Sequence, residues 1–246
     1  SRPRPPPPPP PPGAPPARRL PPTRGGAPPG PIVTPSCLIH PLILLPLGGD
    51  RLAVFRGNAP GLEKAKLVTT DATRCTSELV LDKVQPEAIL PDASHAISKM
   101  LDAGRIALAA DSLGACEAMI EQAVDYAKQR KQFDRLIGSF QAVKHMCAEM
   151  ISELEPARSL VWYAAHSFDA LPSEAPLMAC HALSHVSEIG HEIASVSTQV
   201  HGGIGWTDEH NVHFWFKRIG VARSLLGGPG SLRERAAELQ GLAKAS

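Results

Sequence analysis

Apolar residues recur at alternating intervals of three and four through most of the second half of the chain. One set runs Ile106, Ala109, Leu113, Cys116, Ile120, Ala123 and Ala127. A second runs Val143, Cys147, Met150, Leu154, Ala157, Val161, Ala164 and Phe168. A third is Ala179, Leu183, Val186, Gly190, Ile193, Ser197 and Val200, and a shorter fourth includes Val212, Trp215, Ile219 and Leu226. Each set lays a stripe along one face of a helix. The spacing predicts helices over roughly 93–131, 138–169, 174–201 and 208–226, with a terminal piece at about 230–243. Pro172 and Pro176 bracket one start, Gly202-Gly203 closes the third helix, and Gly227-Gly228-Pro229 closes the fourth. The fold class expected is mainly α, an antiparallel four-helix bundle packed at shallow angles.

Upstream the period shortens to two. Leu52-Ala-Val-Phe55 is an apolar run closed by the turn cluster Gly57-Asn58-Ala-Pro-Gly61, and Cys75-Thr-Ser-Glu-Leu-Val-Leu81 alternates and ends near Pro86. Two or three strands do not hold a sheet together alone, so residues 37–91 read as the remnant of a β domain. Residues 1–36 differ again. Of 26 prolines, 19 fall in the first 50 residues, and Pro5 to Pro12 are unbroken. Such a run is an extended polyproline II segment with too little apolar content to pack. It reads as a disordered Pro-rich extension, with a ligand for proline-recognition modules as the functional alternative. The division expected is therefore 1–36, 37–91 and a helical domain over 92–246.

Charge narrows the function. No acidic residue precedes Asp50, and Arg2, Arg4, Arg18, Arg19 and Arg24 carry all the charge there; the remainder has 20 basic and 24 acidic residues. A mildly acidic body is not a nucleic-acid-binding one. The five cysteines (Cys37, Cys75, Cys116, Cys147, Cys180) are widely spaced and fit no zinc or redox motif, so they read as reduced, buried thiols. The longest apolar run, Leu38 to Leu47, is broken by His40, Pro41 and Pro46 and is too short to span a bilayer. A soluble cytoplasmic protein is expected. The mitochondrial matrix is the alternative, suggested by the acid-free, Arg-bearing start, although consecutive prolines cannot form a transit peptide's amphipathic helix.

Three stretches carry candidate chemistry. The joint Arg130-Lys-Gln-Phe-Asp-Arg-Leu-Ile-Gly-Ser-Phe-Gln141 places two adjacent cations beside an aromatic between two helices. It suits a flat anion, though a solvated helix C-terminus also favours cations. On the third helix Glu188-x-x-His191 has the spacing of a di-iron ligand pair, but no second copy exists, so a polar face and no metal is expected. Gln199-Val-His-Gly-Gly-Ile-Gly205 lets backbone approach a ligand closely and equally serves as a helix C-cap; no strand precedes it, so it is not a dinucleotide fingerprint.

Residues from about 50 to 243 resemble the C-terminal part of the acyl-CoA dehydrogenases. The resemblance rests on Tyr126-Ala-Lys-Gln-Arg-Lys-Gln-Phe133, Ile137-Gly-Ser-Phe-Gln-Ala142 and Gln199-Val-His-Gly-Gly-Ile-Gly205, in the family's order and spacing. Asp71-Ala-Thr-Arg-Cys-Thr-Ser-Glu-Leu-Val-Leu-Asp82 looks like the last strands of the family's β domain. The family's N-terminal helical domain and most of its β domain find no match here. The resemblance implies a flavoprotein of fatty acid metabolism that is oligomeric, with FAD shared across a dimer interface. It implies an acyl-CoA substrate and an electron acceptor such as an electron-transfer flavoprotein. It implies that Arg130 grips the FAD pyrophosphate, that Gln132, Phe133 and Gln141 line that half of the cofactor, and that Gln199, Gly202 and Gly203 face its adenosine end. Asp102 and Arg105 match residues that hold the acyl-CoA.

The family's reaction removes an α proton with a carboxylate while the β hydrogen leaves as hydride to the flavin. Its members carry that carboxylate at one of two positions, which here are Gly104 and Gly227. Neither is acidic, and the base stays unassigned. Three readings remain open: an acyl-CoA dehydrogenase-like enzyme, a non-catalytic partner subunit completing a neighbour's FAD site, and a Pro-rich interaction protein with a helical dimerisation body.

Overall fold

Among the described residues, five helices carry the core. The structure is a computed structural model and describes residues 32–34, 41–48 and 50–242. The helices are α1 (Ser94–Gln129), α2 (Gln141–Ala170), α3 (Ala175–His201), α4 (Val212–Ala222) and α5 (Pro229–Leu239). The apolar stripes face inward as the spacing requires: Ala109, Leu113, Cys116 and Ala123 of α1 meet Leu154, Ala157 and Val161 of α2 and Leu183, Val186 and Ile193 of α3 in one cluster. Helix α3 is the centre, packing against all four others. Its composition explains this: Ala179, Ala182, Ser187, Gly190, Ala194 and Ser197 are small and buried, so neighbours approach it closely on several faces. The added Cβ of an alanine at Gly190 would lie 3.3 Å from both Cys116 Sγ of α1 and Ile219 Cγ2 of α4. Pro156 sits inside α2 on its exposed side, where one i to i−4 hydrogen bond of the helix is lost.

Among the described residues, six short strands precede the bundle. These are β1 (Ile32–Thr34), β2 (Leu42–Pro46), β3 (Leu52–Arg56), β4 (Leu62–Leu67), β5 (Thr76–Leu81) and β6 (Ala88–Leu90). They form two antiparallel three-stranded sheets, ordered β1-β5-β4 and β2-β3-β6. Strands β3 and β5 are the two runs expected from alternation. The charged β4, Leu-Glu-Lys-Ala-Lys-Leu, carries a weaker pattern and owes its conformation to pairing with β5, from Leu62 opposite Leu81 to Leu67 opposite Thr76. One boundary needs correction. Residues 1–36 were expected to be disordered, yet Ile32–Thr34 is a strand paired with β5, Ile32 opposite Leu79, held by the backbone ladder. The rest of that Pro-rich segment lies outside the described residues.

An ionic cluster ties the strands to the bundle. The Asp111 carboxylate on α1 accepts from Arg218 Nε of α4 at 3.1 Å, and from Arg218 Nη2 and Arg74 Nη2. Arg218 Nη1 also donates to Thr73 Oγ1 at 2.7 Å, and Thr73 in turn donates to the buried Asp71. Burial works to raise the Asp111 pKa, but the hydrogen bonds and charges of Arg218 and Arg74 outweigh it and hold the carboxyl below its ordinary value. Asp111→Asn is expected to destabilise the protein by about 2 kcal/mol at pH 7, between an exposed pair and a buried one. Because the folded pKa is the lower one, this stability is full above the unfolded carboxylate range and is lost as pH falls through the folded value. Urea titrations of both proteins at pH 7 and pH 3 check this: the difference must shrink at the lower pH.

Candidate functional site

Helix α1 stops because Arg130 leaves helical space, at φ −71° and ψ 130°. The chain then makes a two-stranded ribbon, β7 (Lys131–Gln132) paired with β8 (Arg135–Leu136). Its two-residue turn, Phe133-Asp134, holds both residues at positive φ, 53° and 61°. Asn-Gly is the usual occupant of such a turn. A phenylalanine there is strained, and the residue is 87% exposed, with its ring edge-on to Phe140 at 6.2 Å between centroids.

Across from this ribbon lies the end of α3. Gly202 caps the helix at φ +66°, a conformation that asks for glycine, and its N–H bonds the Thr198 and Gln199 carbonyls. A Cβ on Gly202 or Gly203 would meet nothing within 4 Å, so both expose bare backbone. Gly205 differs: its added Cβ would lie 3.1 Å from His201 Cβ and from Thr198 O, so there the lack of a side chain serves packing.

Between the two lies a cavity of about 570 Å³ lined by Arg130, Gln132, Gly202 and Gly203, along with Tyr126, His201 and Glu209 among others. No carboxylate among the described residues pairs with the Arg130 guanidinium. Phe133, Gln141 and Gln199 do not line the cavity: Phe133 projects outward, Gln141 Nε2 lies 3.0 Å from His145 Nε2, and Gln199 is exposed on the last turn of α3. Tyr126, His201, Thr207 and Glu209 were missed from sequence as cavity residues. For His201 a signal existed, since it stands directly before Gly202-Gly203.

Asp102 and Arg105 belong to a second cluster near the other end of α1, about 38 Å along the helix axis from Arg130. Arg105 Nη1 donates to the buried Asp102 at 2.9 Å, and Arg105 Nε reaches the Leu226 carbonyl at 3.3 Å. Gly104 faces the same segment: a Cβ there would lie 2.9 Å from Leu226 Cδ1. Leu226 and Gly227 both have positive φ, 55° and 99°. Gly104 and the Leu226-Gly227 turn, far apart in sequence, are therefore adjacent, and an apolar side chain fills the space between them. Asp102 is committed to Arg105, and Glu209 lies in the cavity at the far end. Elsewhere, Glu188 pairs with Arg233 at 2.5 Å and the His191 ring lies against Phe216. No helix among the described residues is long and apolar enough to cross a membrane.

Residues 94–239 match the family model for the acyl-CoA dehydrogenase C-terminal domain. The chain is 36% identical over 169 residues to acyl-CoA dehydrogenase IpdE2 of Mycobacterium tuberculosis, covering 69% of this chain and 49% of that protein. It is 36% identical over 147 residues to the caffeyl-CoA reductase-Etf complex subunit CarC of Acetobacterium woodii, covering 58% of this chain and 38% of that protein. The chain thus spans half or less of the length of these relatives. Among solved structures, the ChsE4-ChsE5 complex from Mycobacterium tuberculosis superposes with a TM-score of 0.73 at 25% identity, covering 83% of this chain and 57% of the other.

Proposed function

The chain belongs to the acyl-CoA dehydrogenase family, and from that premise we propose that it supplies the pyrophosphate-binding half of an FAD site in an acyl-CoA oxidoreductase assembly. The observation that carries this reading is the meeting of Arg130, Gln132, Gly202 and Gly203 in one cavity. The residues fit the cofactor: an unpaired guanidinium matches a pyrophosphate bidentately, and the bare backbone of Gly202 and Gly203 leaves room for a ligand. Asp102 and Arg105 are the residues that would meet the acyl-CoA. When bound, FAD would accept the hydride from the thioester's β carbon.

The two clusters lie too far apart on α1 for one extended dinucleotide to reach both. An FAD held at Arg130 of one subunit would therefore take its reacting end from another, and the exposed Phe133 would face such a neighbour. A second reading has its own observation. With Gly104 and Gly227 at the base positions and Leu226 between them, this chain has no carboxylate there to take the α proton. We favour a role in which a paralogue carrying a carboxylate at one of those positions provides the base and this chain completes its flavin site, with an electron-transfer flavoprotein as acceptor. Purification alone and after co-expression with such a paralogue tests both readings. The expected result is little bound flavin and no thioester-dependent acceptor reduction alone, and a yellow, active complex together. Turnover by the chain alone would overturn the partner reading. Absence of flavin and of complex formation in both samples would leave the Pro-rich interaction protein.

A further inference from the structure

Helix α2 packs on α1 and α3 with one side and leaves the other open. The open side carries Lys144, Ile151, Glu155, Arg158, Trp162 and Asp169. All but the half-buried Arg158 are exposed, Trp162 at 73% and Ile151 at 41%. The intervals between them are seven, four, three, four and seven residues. Such intervals keep all six on one helix face, and they read the same from either end. Their midpoint is the Pro156–Ala157 step. About it lysine mirrors aspartate, isoleucine mirrors tryptophan and glutamate mirrors arginine. Each residue is the chemical complement of its own mirror position.

The outer charges also sit badly on an isolated helix. The first turn of α2 has no acidic residue and the last has no basic one. Instead Lys144 stands by the positive end and Asp169 by the negative end, so the helix dipole opposes both. Neither side chain forms an ion pair among the described residues.

A two-fold axis requires one surface to complement itself, and an antiparallel pair of α2 helices meets that requirement at every one of the six positions. We propose that α2 pairs face to face with α2 of a second copy of this chain, antiparallel, about an axis beside Pro156–Ala157. Lys144 then meets Asp169 of the partner subunit and the negative end of the partner's helix, which reverses both unfavourable contacts. Ile151 packs on Trp162 of the partner subunit, twice per dimer. Near the axis Glu155 and Arg158 of both copies alternate in charge. Arg158 is already oriented for this, because its Nη2 donates to Glu117 of α1 at 2.9 Å and to Glu155 at 3.3 Å. The contact uses no residue lining the cavity beside Arg130 and stands whether or not that cavity takes a flavin. One helix face against another is small for a specific interface, so monomer and dimer are expected to exchange at micromolar concentration.

Sedimentation velocity of the full chain from about 1 to 100 micromolar tests this. The wild type is expected to pass from monomer to dimer across that range. Trp162→Glu should weaken dimerisation at least about a hundredfold, as loss of a central aromatic does. Ile151→Glu, opposite it, should act likewise. Both positions are exposed, so far-UV circular dichroism should be unchanged. Lys144→Glu and Asp169→Lys should each weaken the dimer about tenfold, since each sets like charges together at two places. The double variant restores both pairs in swapped order and should return to within about threefold of the wild type. Lys144→Glu should also raise the Tm of the dilute monomer by about 1–3 °C, because it suits the helix end. A wild type that stays monomeric at the highest concentration overturns the proposal. So does a dimer indifferent to both Trp162→Glu and Ile151→Glu, which would use another surface. A double variant no better than its parents overturns the antiparallel pairing.

Discussion

Arg130→Glu is expected to strip FAD from the assembled protein, weakening its retention at least about a hundredfold. The guanidinium stands at the end of α1 on extended backbone, facing the cavity, with no carboxylate of the described residues to neutralise it. Removing a charge-assisted pair typically costs about 1.5–3 kcal/mol. Reversal goes further, because it sets a carboxylate against the pyrophosphate. Stability should barely change: the side chain is exposed, and a cation at a helix C-terminus is worth about 0.3–1 kcal/mol. The measurement is the flavin-to-protein absorbance ratio of the purified complex, followed by FAD titration of the stripped protein. Lys128→Ala, in the last turn of the same helix, controls for loss of positive charge there. An unchanged flavin ratio in Arg130→Glu would remove the cavity from the flavin site.

Leu183→Ala is expected to destabilise the fold by about 2–5 kcal/mol, the range for a fully buried leucine truncated in a close-packed core. Leu183 is 0% exposed on α3, the helix against which every other helix packs. Ala182 is buried in the same cluster and Gly190 is already closely approached by α1 and α4, so little can move into the space left behind. For a chain of this length that is a fall in Tm of roughly 5–15 °C, which thermal unfolding followed by far-UV circular dichroism would show. Leu239→Ala at the end of α5, where the side chain is 39% exposed, should lie within about 0.5 kcal/mol of the wild type. A loss below about 1 kcal/mol at Leu183 would mean that α3 is not the core.

The helices were legible because a helical period is a property of neighbours three and four residues apart. All seven apolar positions read on the third helix are buried in the structure, Ser197 and Gly190 included. The ends were less legible. The first helix was expected to reach 131 but stops at Gln129, since Arg130 and Lys131 turn into the ribbon; the second was expected from 138 but begins at Gln141, after a 3-10 turn over Ile137–Ser139. The fourth is shorter at both ends, Val212–Ala222, because Gly202–Trp206 forms a 3-10 turn and the stretch after Ala222 bends toward Gly227. Strand β4 was invisible because its lysines and glutamate are set by the partner strand and not by an apolar face.

By itself the sequence determined the helical architecture, the glycine-marked end of the third helix and the absence of a carboxylate at Gly104 and Gly227. Each follows from residue identity and short-range spacing. Only the tertiary structure decided that Gly104 lies under Leu226, that Arg74 and Arg218 converge on Asp111, and that the cavity beside Arg130 holds an imidazole with one nitrogen unsatisfied. These contacts join residues from 37 to more than 120 positions apart. No local period encodes them; they exist because α3 buries its small residues and so draws α1 and α4 close enough for their side chains to meet.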